Sequence, residues 1–155
     1  MQIQLLNVAQ KLPAWVDTGC ADYARRIPRE LGLQQYTIPL AKSNSRLSAE
    51  QRREREGQQI LARLRPGHSI ALDERGKSWS SEDWATQLQR WMQDFSQVNL
   101  VIGGPDGLSP ECLQACQQRV SLGRMTLPHA LVKLVVLEQL YRAWTICRGH
   151  PYHRE

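Results

Sequence analysis

Residues Leu100 to Pro110 read LVIGGPDGLSP. An apolar run ends in Gly103 and Gly104, passes through Pro105, Asp106 and Gly107, and meets Ser109-Pro110-Glu111. A short, wholly apolar run predicts a strand covered on both faces, as in a parallel sheet. Ser109 supplies an N-cap, Pro110 the first helical position and Glu111 an early acid, so a helix starts at once. A strand feeding a helix through a glycine loop is the repeating unit of an α/β fold.

The same alternation extends in both directions. Downstream, the helix from Pro110 ends near Gln118, Arg119–Gly123 forms a short last strand, and a loop leads to a long helix over Pro128–Ile146. Upstream, HSIALD (68–73) predicts a strand, ERGK a turn, and Ser80 or Ser81 the cap of a helix to Gln93 with Trp84, Leu88, Trp91 and Met92 inside. Before these come a strand at Gln2–Val8, a helix opened by Pro13, a strand at Leu33–Leu40, and a helix capped by Ser48 and Gln51. That last helix carries its apolar stripe on Ile60, Leu61 and Leu64, and its QRREREGQQ run reads as a solvated face of mixed charge. The expected architecture is one α/β domain over residues 1–155, with a mostly parallel sheet covered by helices.

Composition narrows the function. A chain of 155 residues buries roughly 70% of its unfolded surface and needs no metal or disulfide staple. Cys20, Cys112, Cys116 and Cys147 form no C-x-x-C pair, so they read as reduced thiols and no metal site is expected. No apolar run approaches the roughly 20 residues of a membrane span, and the N-terminus lacks a signal-peptide pattern. The expected compartment is the cytoplasm, without membrane association. The net charge of +5 rests on 16 arginines against 4 lysines. Arginine matches phosphate with a planar fork and stacks on bases, so the excess fits a nucleic-acid partner.

The glycine loop is not a dinucleotide fingerprint. That motif needs G-x-G-x-x-G after an early strand, whereas here G-G-P-x-G follows a late one. Pro105 also removes an amide donor that a phosphate cradle would use. A purely structural strand-to-helix turn is the plain alternative. Two other strand ends, ALDERG at Leu72 and SLGRMTLPH at Leu122, run into irregular loops as well. Ligands of open parallel sheets bind beyond the carboxyl ends of strands. Three such loops suit an adenosine-like ligand held by main-chain groups and apolar packing, with the glycines letting the backbone approach it.

IGGPDGLSP, TLPHALVKLVVLEQLYRAW and HPYHRE, in that order, resemble the RlmH family of bacterial SPOUT-class methyltransferases over essentially the whole chain. The resemblance implies a homodimeric α/β fold whose C-terminal part is a trefoil knot enclosing S-adenosylmethionine. It implies methylation of N3 of a pseudouridine in 23S ribosomal RNA, with the assembled ribosome as substrate. The cofactor pocket would comprise Leu72 and Asp73, then Gly103 and Gly104, then Leu122, Gly123, Arg124, Met125, Thr126, Leu127 and Pro128. Where the family leads one to expect a small hydroxyl residue near position 123, this chain has Gly123 followed by Arg124.

Methyl transfer from a sulfonium needs alignment of nucleophile, methyl and sulfur, and removal of the imide proton. His129, at the start of the long helix, is a candidate base or substrate contact. Glu138 and Arg142 stand at salt-bridge spacing, and Arg142 is also a candidate for holding a phosphate or the uracil oxygens. Tyr152, His153 and Arg154 offer a stacking ring, a titratable group and a phosphate fork; the resemblance carries this tail to a catalytic pocket, in the dimer that of the partner. The long helix is apolar around most of its circumference, which calls for a second partner such as another protomer. Arg25, Arg26, Arg29, Lys42 and Arg46 are candidate RNA-backbone contacts. Alternative readings are a non-catalytic knotted RNA-binding module, a SPOUT enzyme for another RNA position, and more remotely a nucleotide-dependent oxidoreductase.

Overall fold

The computed structural model describes residues 1–41 and 46–154. Lys42, one of the candidate RNA contacts, lies outside the described residues. Five parallel strands stand in the order β2-β1-β4-β3-β5. They are β1 Gln2–Ala9, β2 Gln34–Pro39, β3 His68–Ser78, β4 Gln97–Ile102 and β5 Gln118–Ser121. The connecting helices are α1 Ala14–Arg26, α2 Ala49–Arg63, α3 Ser81–Asp94 and α4 Pro110–Ala115, and α5 spans His129–Cys147.

Alternation along the central strands builds two cores. Ile3 and Leu5 of β1 and Leu100 of β4 face α1, α3 and α5, where Val16, Trp84, Trp91, Leu137 and Leu140 are buried. Leu6, Val8 and Val101 face the other way, toward Ile60 of α2 and Cys112 of α4. The two connections that run one way across the sheet, β1 to β2 and β3 to β4, use α1 and α3 on one face. The two that run the other way use α2 and α4 on the opposite face. One shared hand of crossover produces this division. The reversal of direction falls between β1 and β4, and the crevice at such a reversal is where open α/β sheets bind ligands.

Capping follows the sequence. Ser48 and Gln51 form a reciprocal capping box, Ser80 does the same with Asp83, and Ser109 accepts a hydrogen bond from the Cys112 amide at 3.3 Å. All four cysteines are free thiols. Burial pushes the Cys116 thiol up to about 11, which keeps it protonated and unreactive.

Two expectations need correction. ERGK is not a turn that ends a strand: β3 continues to Ser78, and Leu72 and Lys77 both pair with Val120 of β5, so residues 73–76 are thrown out as a bulge. The charged run of α2 is not a wholly solvated face, because Glu56 is 2% exposed; conversely Leu61 of the expected stripe is 38% exposed. The long helix lies against both α1 and α3, while Leu131, Leu134 and Val135 stay half-buried.

Candidate active site

The crevice at the carboxyl ends of the strands holds a cleft of about 510 Å³. One wall is the β3 bulge, with Leu72, Asp73 and Arg75; the second is the loop after β4, Gly103 to Leu108. The third is the segment after β5, through Leu122, Met125, Thr126 and Leu127, with His129 and Val132 of α5 closing the base. The three loops singled out in the sequence do converge. Gly123, Arg124 and Pro128 lie in the third segment but do not line the cleft. Gly123 has φ +131° and is bracketed by Ser121, whose hydroxyl accepts from the Gly123 amide and donates to its carbonyl.

Gly103 and Gly104 are required for a different reason from the one expected. A Cβ on Gly103 would stand 2.9 Å from the Gly107 carbonyl carbon, and one on Gly104 would meet Leu40, Glu56 and Val8 at 2.9–3.2 Å. The missing side chains leave room for protein, not for ligand. They let the loop fold back on itself, with the Gly107 amide donating to the Gly104 carbonyl at 2.9 Å, and lie flat on the ends of β1 and β2.

Helix α2 buttresses this loop. Arg52 grips Asp106 with both arms of its fork, Nε to Oδ2 at 2.7 Å and Nη2 to Oδ1 at 3.1 Å. This holds the Asp106 carboxyl below its usual range and raises Arg52 further. Glu56 accepts from the Ala41 amide through Oε2 at 3.0 Å, while its buried Oε1 has no partner among the described residues. Burial raises the Glu56 carboxyl above the ordinary glutamate value. Neither Arg52 nor Glu56 was singled out from the sequence. The available signal was Gly57 in mid-helix, which marks close approach: a Cβ there would lie 2.5 Å from the Ser109 hydroxyl oxygen.

At the mouth of α5, His129 Nε2 lies 2.7 Å from the carbonyl oxygen of Val8. A carbonyl only accepts, so Nε2 carries a proton, and in the neutral ring Nδ1 is the acceptor. The β3 bulge places Asp73 with Oδ1 accepting from the Arg75 amide at 3.2 Å, while Oδ2 is buried without a partner among the described residues.

These features belong to a known group. Residues 1–153 match the family described as "Predicted SPOUT methyltransferase". The chain belongs to the SPOUT methyltransferase family. Among curated proteins it is 44% identical over 155 residues to "Ribosomal RNA large subunit methyltransferase H" of Azotobacter vinelandii, covering 99% of this chain and 100% of the relative. A protein of the same name from Pseudomonas putida strain W619 is 43% identical with the same coverage. Of solved structures, a putative methylase family protein from Neisseria gonorrhoeae aligns with TM-score 0.52 at 16% identity, over 90% of this chain and 80% of that one. A probable methylase family protein from Haemophilus influenzae aligns with TM-score 0.51 at 15% identity, over 97% and 67%. These two likenesses speak to the fold alone.

Of the remaining residues expected at the methyltransferase centre, Arg142 and Tyr152 form a second cluster with Glu138 and Tyr23, farther along α5, while His153 Nδ1 is buried without a partner among the described residues. Glu138 Oε1 accepts from Arg142 Nη2 at 2.8 Å and Nε at 2.9 Å, as their spacing predicts. The Tyr152 hydroxyl donates to the same oxygen at 3.1 Å and lies 3.3 Å from the Tyr23 hydroxyl. The Arg142 guanidinium stands over the Tyr152 ring, 5.0 Å from its centre, and Tyr141 packs against that ring at 4.7 Å. Pro151–Arg154 is a 3₁₀ turn that Tyr152 anchors to α5. Burial and the adjacent Glu138 carboxylate raise the Tyr152 phenol, which stays protonated at neutral pH. Arg142 lies 13 residues beyond His129, about 20 Å along the helix axis. Within one chain, the SPOUT cleft and the tail cluster are therefore separate.

Proposed function

We propose that this protein transfers a methyl group from S-adenosylmethionine to N3 of a pseudouridine in 23S ribosomal RNA, acting on the assembled ribosome in the cytoplasm as a homodimer. The observation that carries the reading is a three-loop cleft at the strand ends of a chain 44% identical, end to end, to a relative named as a large-subunit rRNA methyltransferase. The choice of N3 and of pseudouridine rests on the family resemblance, as does the trefoil knot around the cleft.

The residues present fit the donor. The cleft lies in the volume range of small-molecule sites, and the orphaned Asp73 Oδ2 suits a ligand hydroxyl or ammonium. Leu72, Asp73, Gly103, Gly104 and the main chain of Leu122–Leu127 would hold it. When bound, it supplies a methyl group already activated on sulfur. His129, proton on Nε2, keeps Nδ1 free to accept the imide proton that N3 gives up.

Arg142, Tyr152, His153 and Arg154 supply the RNA side. The separation of Arg142 from His129, about 20 Å along α5, supports the partner protomer's cleft as the one they serve. The outward face of α5, with half-buried Leu131 and Val135, and the 62% exposed Trp15 of α1 are the proposed dimer surface.

The test is mass-spectrometric mapping of ribosomal RNA from cells lacking this protein. One modification should be missing and should return with the intact chain. A return at a different nucleotide identifies another target; no return despite ribosome binding identifies a non-catalytic module. Mixed dimers of a tail-deleted chain and a cleft-disabled chain should regain activity that neither parent has. Failure to regain it, with mixed dimers present, refutes action on the partner's cleft.

A further inference from the structure

Beside the cleft runs a second depression of about 580 Å³. Three arginines from three elements line it: Arg53 of α2, Arg75 of the β3 bulge and Arg119 of β5. Asp73, Arg75, Asp106, Gly107 and Leu108 belong to both spaces and form the ridge between them. We propose that this groove is a track for phosphates of the RNA strand whose base enters the cleft; the inference rests on the rRNA reading above.

The charges decide it. Two acids face the groove, Asp73 and Asp106. Asp106 is matched by the bidentate fork of Arg52. Asp73 is matched by Arg75, whose amide donates to Oδ1 and whose Nε lies 3.6 Å from it. Among the described residues Arg53 donates only to the main-chain carbonyl of Asp106, at 3.3 Å, and neither Arg53 nor Arg119 has an ion pair. Two guanidinium charges are therefore left over. Guanidinium is the group that chelates phosphate, and a groove that adjoins the cleft offers a path for the strand flanking a target base.

Local folding holds the arginines together. The register shift that throws out residues 73–76 brings Arg75 up beside β5. Gly76 makes this possible, since a Cβ there would stand 2.6 Å from the main chain of Arg119 and Val120. By contrast, Arg25 and Arg26 of α1, candidates from the sequence, already share Asp22 at 3.1 and 2.9 Å.

The experiment uses the full-length chain with Arg53→Ala and Arg119→Ala combined, which leaves the Arg52–Asp106 and Asp73–Arg75 pairs in place. A fluorescently labelled RNA oligonucleotide is titrated across a salt series. The double variant should bind about tenfold or more weakly, and the slope of log K against log salt should flatten by about 1.4, the counterions of two single-strand phosphates. The Michaelis constant for ribosomal particles should rise in parallel, with S-adenosylmethionine affinity by calorimetry unchanged, and the doubly lysine-substituted chain should recover part of the binding. Wild-type RNA affinity and slope in the alanine variant overturn the proposal and leave the functional reading standing. Weakened RNA binding by the variant, together with no methyl transfer by the wild type, overturns the functional reading and leaves the groove.

Discussion

At one end of α5, His129 enters a cleft whose walls are loops and main chain, shaped by Gly103 and Gly104 and braced from behind by Arg52 and Glu56. Farther along the same helix, Glu138, Arg142, Tyr152 and Tyr23 form a network of side chains bonded to one another. The first region works through where the backbone lies. The second works through which functional groups are present. Damage to the first should fall on donor binding, and damage to the second on transfer.

The largest effect expected is from removing the tail. Deleting residues 150–155 should lower methyl transfer about 100-fold or more, the scale of losing positioned groups at a reacting centre, while calorimetric S-adenosylmethionine affinity stays within about twofold. Equal loss of both would erase the distinction between the two regions. Next is Gly104→Val. Its Cβ would press on Leu40, Glu56 and Val8, so overpacking should cost about 1–3 kcal/mol of stability. Donor affinity should fall about tenfold or more, on the same physical grounds, as the loop lifts from β1.

Glu138→Ala should cost a comparable amount of stability but spare the donor site. It strands the half-buried Arg142 and the Tyr152 hydroxyl, a loss of about 1–3 kcal/mol, read as a melting-temperature decrease of about 2–4 °C per kcal/mol. Transfer should drop while donor affinity holds. Glu56 gives a pH test. Its folded-state carboxyl is raised by burial above the reference of 4.5, so its contribution is full below that value and is lost as pH rises through the folded one. The melting temperature of Glu56→Gln relative to the wild type should therefore increase with pH above about 4.5. A flat difference would show that the proton does not matter there. The smallest effect belongs to Arg25→Ala, whose exposed pair with Asp22 contributes at most about 1 kcal/mol to stability.

Much of this was legible in the residues. The alternation of strands and helices, the caps at Ser48, Ser80 and Ser109, the three loops at strand ends and the Glu138–Arg142 pair are local matters of spacing and chemistry. What was misread depends on contacts far apart in the chain. ERGK looks like a turn because its composition is that of a turn; pairing with β5, more than forty residues on, keeps it within a bulged strand. QRREREGQQ looks solvated because its charges are dense, yet one turn of it lies beneath the glycine loop and buries Glu56.

The sequence by itself determined the fold class, the family and the position of the three loops that line the cleft, because periodicity, caps and motif order act over a few residues at a time. Only the tertiary structure decided why Gly103 and Gly104 must be glycine, which arginines are already paired, and how far the tail lies from its own cleft. Those depend on which surfaces meet across the sheet. A guanidinium gripping Asp106 and one open to solvent are the same residue in the sequence.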